Sequence, residues 1–123
     1  TPEMREAATE LKLNIIESSV KNKRVVVVDD SIVRGTTSRK IVNLLRKAGA
    51  SEIHFRVASP VVKAPCCFGI DMKYEDELLG SSKTVDQIKE MLGVDSLGYL
   101  SLNALKNSIG VKRNICSECF KAR

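Results

Sequence analysis

The 123-residue sequence predicts an α/β fold, a parallel sheet flanked by helices. Val25-Val26-Val27-Val28 is an unbroken β-branched run, the pattern of a strand covered on both faces in a parallel sheet. A helix-period segment follows it, and then a second strand-like segment over 53–58, so the three form a strand–helix–strand unit expected to cross over right-handed. With 43% hydrophobic and 28% charged residues and no Gly/Ser/Pro-rich linker, the composition is that of one globular domain with its own core.

Each element has its own local reason. Residues 2–13 open with acids and carry apolar or alanine positions compatible with helix, while 13–16 read equally as helix or extended chain, so both options stand there. The valine strand ends in two acids, Asp29 and Asp30, and Ser31-Ile32-Val33-Arg34-Gly35-Thr36-Thr37 forms a loop. Thr36 or Thr37 is expected to cap a helix whose apolar face is Ile41, Leu44, Leu45 and Ala48, and Gly49 stops it. Pro60 ends the second strand. Segments 74–80 and 84–92 read as helices, the latter capped by Thr84, facing the core with Val85, Ile88, Met91 and Leu92, and closed by Gly93. A short strand over 95–100 and a last helix from Ser101 through Leu102, Leu105 and Ile109 to Gly110 complete the pattern before a Cys116-Ser117-Glu118-Cys119 tail.

Composition excludes several functions. No stretch approaches the roughly 20 consecutive apolar residues of a membrane span, and the start TPEMREAATE lacks an apolar signal core, so a cytoplasmic chain with no membrane partner is expected. Net charge +5 favours an anionic partner, but aromatics are only 4% with no Trp and the cations are dispersed, which argues against nucleic acid. Solvated surface lysines or a small phosphate-rich ligand explain the charge. Four cysteines in such a chain point to a metal or cluster rather than disulfides. His54, the only histidine, falls in a strand and reads as a packing or surface residue.

The acidic strand end is the densest chemistry. Ligands of open parallel sheets bind outside the carboxyl ends of strands, where a loop feeding a helix start offers free amides and the positive dipole end. Paired carboxylates at Asp29 and Asp30 suit sugar hydroxyls or an Mg²⁺ ion, and the Ser/Thr/Gly loop suits a phosphate. A phosphoacceptor receiver domain also places paired acids at a strand end, with Asp71 as its acceptor, but residues 65–70 make a poor buried strand.

The segment VVVVDDSIVRGTT at 25–37 resembles the phosphoribosyl pyrophosphate signature of type I phosphoribosyltransferases. Lys12-Leu13-Asn14, IHFRVASPVV at 53–62, PCCFGIDM at 65–72 and DSLGYLSLNAL at 95–105 narrow the resemblance to the amidophosphoribosyltransferase family. It implies a partial type I phosphoribosyltransferase fold with a C-terminal helical cysteine-bearing tail. The implied reaction makes phosphoribosylamine from phosphoribosyl pyrophosphate and glutamine-derived ammonia in purine synthesis.

Residue by residue, the resemblance implies that Asp29 and Asp30 hold the ribose hydroxyls and Mg²⁺. Ser31, Val33, Arg34, Gly35, Thr36 and Thr37 would wrap the 5′-phosphate through backbone amides and the two threonine hydroxyls. Cys66, Cys116 and Cys119 match three ligands of a 4Fe–4S cluster whose fourth lies outside this chain, and Cys67 is expected as a buried thiol. The family's glutaminase portion and some of its strands have no counterpart, so the chain reads as a fragment. Sheet edges left by the missing strands favour a homo-oligomer. The rival readings are a nucleobase-salvage phosphoribosyltransferase, a non-catalytic phosphoribosyl pyrophosphate sensor and the receiver.

Overall fold

The computed structural model describes residues 14–68, 78–110 and 114–121. Three strands, β1 (Arg24–Asp29), β2 (Glu52–Val57) and β3 (Ser96–Tyr99), form one parallel sheet in that order. A short helix α1 (Glu17–Val20) precedes β1, and α2 (Thr36–Lys47) joins β1 to β2. Helices α3 (Leu79–Ser82) and α4 (Val85–Leu92) lie between β2 and β3, and α5 (Leu102–Ile109) follows. The expected parallel sheet with flanking helices is therefore present, and Asp71 and residues 2–13 lie outside the described residues.

The period-2 alternation of the strands decides which residues build the core. Val25 pairs with Ile53 and Val27 with Phe55, while Phe55 pairs in turn with Leu97 and Val57 with Tyr99. That face packs against Val42 and Leu45 of α2 and Ile88 and Leu92 of α4. The opposite face carries Val26 beside His54 and Ser96, and Val28 beside Arg56 and Gly98. Val26 is 62% exposed and Val28 72%, which corrects the expectation that the valine run is covered on both faces. The helices that bury Val25 and Val27 all contribute to one layer.

Helix ends follow sequence chemistry closely except at α2. Thr84 accepts from the Gln87 amide at 3.2 Å and the Gln87 side chain accepts from the Thr84 amide at 2.9 Å, a complete capping box. Ser101 caps α5 by accepting from the Ala104 amide, and Gly93 and Gly110 end α4 and α5 in the left-handed conformation. By contrast neither Thr36 nor Thr37 caps α2, because the cap position belongs to Gly35 at φ 82°. Buried positions of α2 are Ser38, Val42 and Leu45, so the apolar stripe is rotated from the expected one, with Ile41 and Leu44 at its margin. Val85, expected to face the core, is exposed, and so is Ile109 near the end of α5. Of the helix expected over 74–80, the described part is Leu78 and the first residues of α3, which continues to Ser82.

The two ends of the sheet differ in character. At the amino ends, the Asp95 carboxylate accepts from the Ile53 amide at 2.7 Å and from the Arg46 guanidinium at 2.8 Å, pinning β2, α2 and β3 together. These two donors, the amide first, hold the Asp95 carboxyl below the usual carboxylate range. At the carboxyl ends, Asp29, Val57 and Tyr99 finish on one row, and the Ala58 amide donates to the Asp29 carbonyl at 2.8 Å. The residues that leave this row build the site.

A depressed carboxyl contributes stability above its unfolded value of 3.8 and loses it as pH falls through the lower folded value. Asp95→Asn is expected to cost about 1 kcal/mol at neutral pH, since solvent screens this partly exposed pair. Urea unfolding should show wild type and variant converging in acid; a gap that persists there would contradict the pin.

Candidate anion site at the carboxyl end of the first strand

Strand β1 delivers Asp29 half-buried and Asp30 exposed at the sheet's carboxyl edge. The Asp30 amide donates to Asp29 Oδ1 at 2.8 Å, and Ser31 Oγ donates to Asp30 Oδ1 at 3.2 Å. These local bonds orient both carboxylates and leave lone pairs of each facing outward. Ile32 then turns into the main core, and Val33 turns into a second, smaller core around Val62 and Leu78. With its two apolar side chains anchored inward, the loop presents Arg34, Thr36 and Thr37 to solvent.

Gly35 completes the turn. Its left-handed φ of 82° lets the chain enter α2 directly, and the Arg39 amide donates to the Gly35 carbonyl at 2.9 Å as the first helical bond. The amides of Thr36, Thr37 and Ser38 therefore have no intrahelical acceptor, as at any helix start. Because neither threonine hydroxyl is spent on capping, both remain at the surface of a cleft of about 400 Å³ lined continuously by residues 29–38. Its lining thus combines the carboxylates of Asp29 and Asp30 with the residues of a helix start, whose unpaired amides carry the positive dipole end.

Every strand-end residue singled out from the sequence, Asp29, Asp30, Ser31, Val33, Arg34, Gly35, Thr36 and Thr37, lines this cleft. Val33 does so through its backbone, since its side chain packs inward. Ile32 and Ser38 also line it and escaped notice. For Ile32 the available signal was its place as an apolar residue in a polar loop, which marks an anchor.

The cysteines converge more loosely. Cys66, Cys116 and Cys119 line one cavity of about 360 Å³ together with Phe68. The Lys63 and Ala64 amides both donate to the Cys119 carbonyl, at 2.7 and 3.0 Å, which ties the tail to the loop after β2. Burial, then the neighbouring Cys66 and Cys116, push the Cys119 thiol up, against a backbone hydrogen bond at Cys119 itself. None of the four cysteines is in a disulfide, and among the described residues no three ligating side chains draw close enough to enclose a single metal ion. Cys67 is exposed rather than buried, because Cys66 takes the cavity and the chain bends at 67–68, with the Phe68 amide donating back to Cys66 Sγ at 3.3 Å. His54 is bridged by Glu52 Oε2 at 2.9 Å and Ser96 Oγ at 2.7 Å, partners that strand alternation places on its own face.

The fold and the strand-end cleft belong to a chain of the Phosphoribosyl transferase domain family, whose model matches residues 2–68, more than half of the sequence. Within it the similarity runs to amidophosphoribosyltransferases. The enzyme of Methanocaldococcus jannaschii is 53% identical over 119 residues, 97% of this chain and 25% of its own length. That of Methanothermobacter thermautotrophicus is 49% identical, over 98% of this chain and 26% of its own length. Among solved structures, the glutamine phosphoribosylpyrophosphate amidotransferase of B. subtilis complexed with ADP and GMP matches at TM-score 0.76 and 44% identity, over 94% of this chain and 26% of that one. The chain thus spans about a quarter of the length of the relatives it matches.

A Cβ at Gly35 would need the left-handed conformation and would stand 2.5 Å from Leu79 Cδ1. Gly35→Ala is expected to cost about 2 kcal/mol, read as a lowered thermal midpoint. An unchanged midpoint would contradict the turn described here.

Proposed function

We propose that residues 29–38 bind phosphoribosyl pyrophosphate, and that the chain is the substrate-gripping part of an amidophosphoribosyltransferase. The continuous cleft whose lining runs from two acids to a helix start is the observation that carries this reading. The 5′-phosphate lies against loop 31–37, where first-turn amides and the Thr36 and Thr37 hydroxyls donate to it. Arg34 adds a cation at the rim. Asp29 and Asp30 accept from the ribose hydroxyls.

The donor set also fits Mg²⁺, a hard cation that takes carboxylate oxygens and keeps several waters, and Asp29 and Asp30 would hold it. When bound, the ion neutralises charge on the pyrophosphate. In the reaction the ammonia nitrogen bonds to the anomeric carbon as the bond to pyrophosphate oxygen breaks, and a proton passes to solvent. This needs no covalent protein nucleophile. The chain's own contribution is to fix the sugar and phosphate in place, so that positioning and preorganised donors supply most of the rate. Glutamine as the ammonia source follows from the resemblance and from the B. subtilis relative's description.

The thiol corner supports a second part of the reading, a 4Fe–4S cluster held by Cys66, Cys116 and Cys119 with its fourth ligand outside this chain. A cluster spreads its iron atoms, so thiolates around a shared cavity suit it without converging on one point. Thiolates are the ligands, and the raised Cys119 thiol makes loading harder at neutral pH and easier as pH rises.

Isothermal titration of the chain with Mg²⁺ and phosphoribosyl pyrophosphate should give binding that the Asp29→Asn/Asp30→Asn double variant weakens about 100-fold. Equal binding by both proteins would refute the site. Anaerobic reconstitution with iron and sulfide should give brown protein in a yield that increases with pH; a colourless product with four titratable thiols would refute the cluster.

A further inference from the structure

We propose that Leu79 is a positioning residue for the anion loop, clamping its backbone from beneath so that its amides stand ready before a phosphate arrives. The inference rests on the phosphate-binding reading above. Helix α3 has only four residues, yet its first one meets the loop at two places. The Leu79 amide donates to the Val33 carbonyl at 3.1 Å. Its side chain fills the space beside Gly35, where a Cβ would lie 2.5 Å from Cδ1 and 3.6 Å from Cγ.

The neighbours of Leu79 hold it firmly. Leu78 is 1% exposed and forms the second core with Val62, onto which Val33 also packs. Gly80 lies so close to the Val61 side chain and the Val62 carbonyl that no Cβ fits there without movement. Helix α3 is thus wedged between the loop after β2 and the loop after β1. Leu79 itself packs on the main core while its neighbour Leu78 sits in the second, and it lines none of the anion cleft.

The physical need is clear from the loop's own bonding. Between Asp29 and the start of α2 the chain belongs to no strand or helix. Without an outside clamp, phosphate would have to order this segment on arrival, and that entropic cost would be taken from its affinity. Leu79 supplies the clamp at Val33 by hydrogen bonding and at Gly35 by contact. It acts through the loop and does not touch the ligand.

The test uses the full 123-residue chain and inorganic phosphate as the probe, followed by amide chemical shifts. Leu79→Ala is expected to weaken phosphate binding about tenfold and the milder Leu79→Val about threefold, with Leu79→Met restoring it to near wild type. Val94→Ala, a core truncation next to the amino end of β3 and remote from the loop, should lower the thermal midpoint without changing phosphate affinity. Two results would overturn the proposal: unchanged affinity in both Leu79→Ala and Leu79→Val, or equal weakening by Val94→Ala. If Leu79→Ala fails to fold, Leu79→Val and Leu79→Met decide. Failure of wild type to bind phosphate would refute the parent reading, a result distinct from tight wild-type binding that is indifferent to Leu79.

Discussion

The left-handed turn at Gly35 is the constraint on which the site depends. It lets a strand that has just ended in two acids enter a helix within a few residues, so the two acids and the helix start line a single cleft. A side-chain cap at this point would have used a hydroxyl or consumed an amide. With glycine there, Thr36, Thr37 and Ser38 keep their first-turn amides unpaired within the helix, and the two threonine hydroxyls stay at the cleft. A helix start of this kind favours an anion, and the adjacent acids favour hydroxyls or a hard cation, which is the basis of the phosphorylated-sugar ligand proposed above.

The turn is held by packing on two sides. Ile32 anchors it in the main core and Val33 in the small core of Val62 and Leu78. That small core also touches Cys66, Cys119 and Phe120, so the loop after β1, the loop after β2 and the cysteine-bearing tail share one apolar contact. The amino end of the sheet is fastened separately by Asp95, Arg46 and the Ile53 amide, far from the chemistry. This fastening and the cleft thus fall at opposite ends of the same strands, the cleft at the carboxyl end where ligands of open parallel sheets bind.

Much of this was legible beforehand because local chemistry and tertiary need agree. The alternation in β2, the Thr84 and Ser101 caps, and the glycines after α4 and α5 all do what their residue types predict. The residues of the strand–acid–loop–helix segment also line one cleft, since contiguous residues at one strand end can hardly avoid one another. What sequence could not reveal involves distant packing. Which threonine caps α2 was a choice between two residues, and the structure uses neither, because Gly35 abuts Leu79, 44 residues on, and must turn left-handed there. The bare face of β1 was misread for the same reason: β-branched residues state that a strand forms, and only the placement of helices states which face they cover. Cys67 came out exposed because sequence shows that cysteines cluster but not which of two neighbours turns to the cavity.

The most direct test of the central claim is an amide-resolved NMR titration of the chain with Mg²⁺ and phosphoribosyl pyrophosphate. The largest shifts are expected at the amides from Asp30 to Ser38, with the β1 residues before Asp29 and the Asp95 end of the sheet unchanged. Saturable shifts that avoid residues 30–38, or none at all, would contradict the claim that this strand end grips a sugar phosphate.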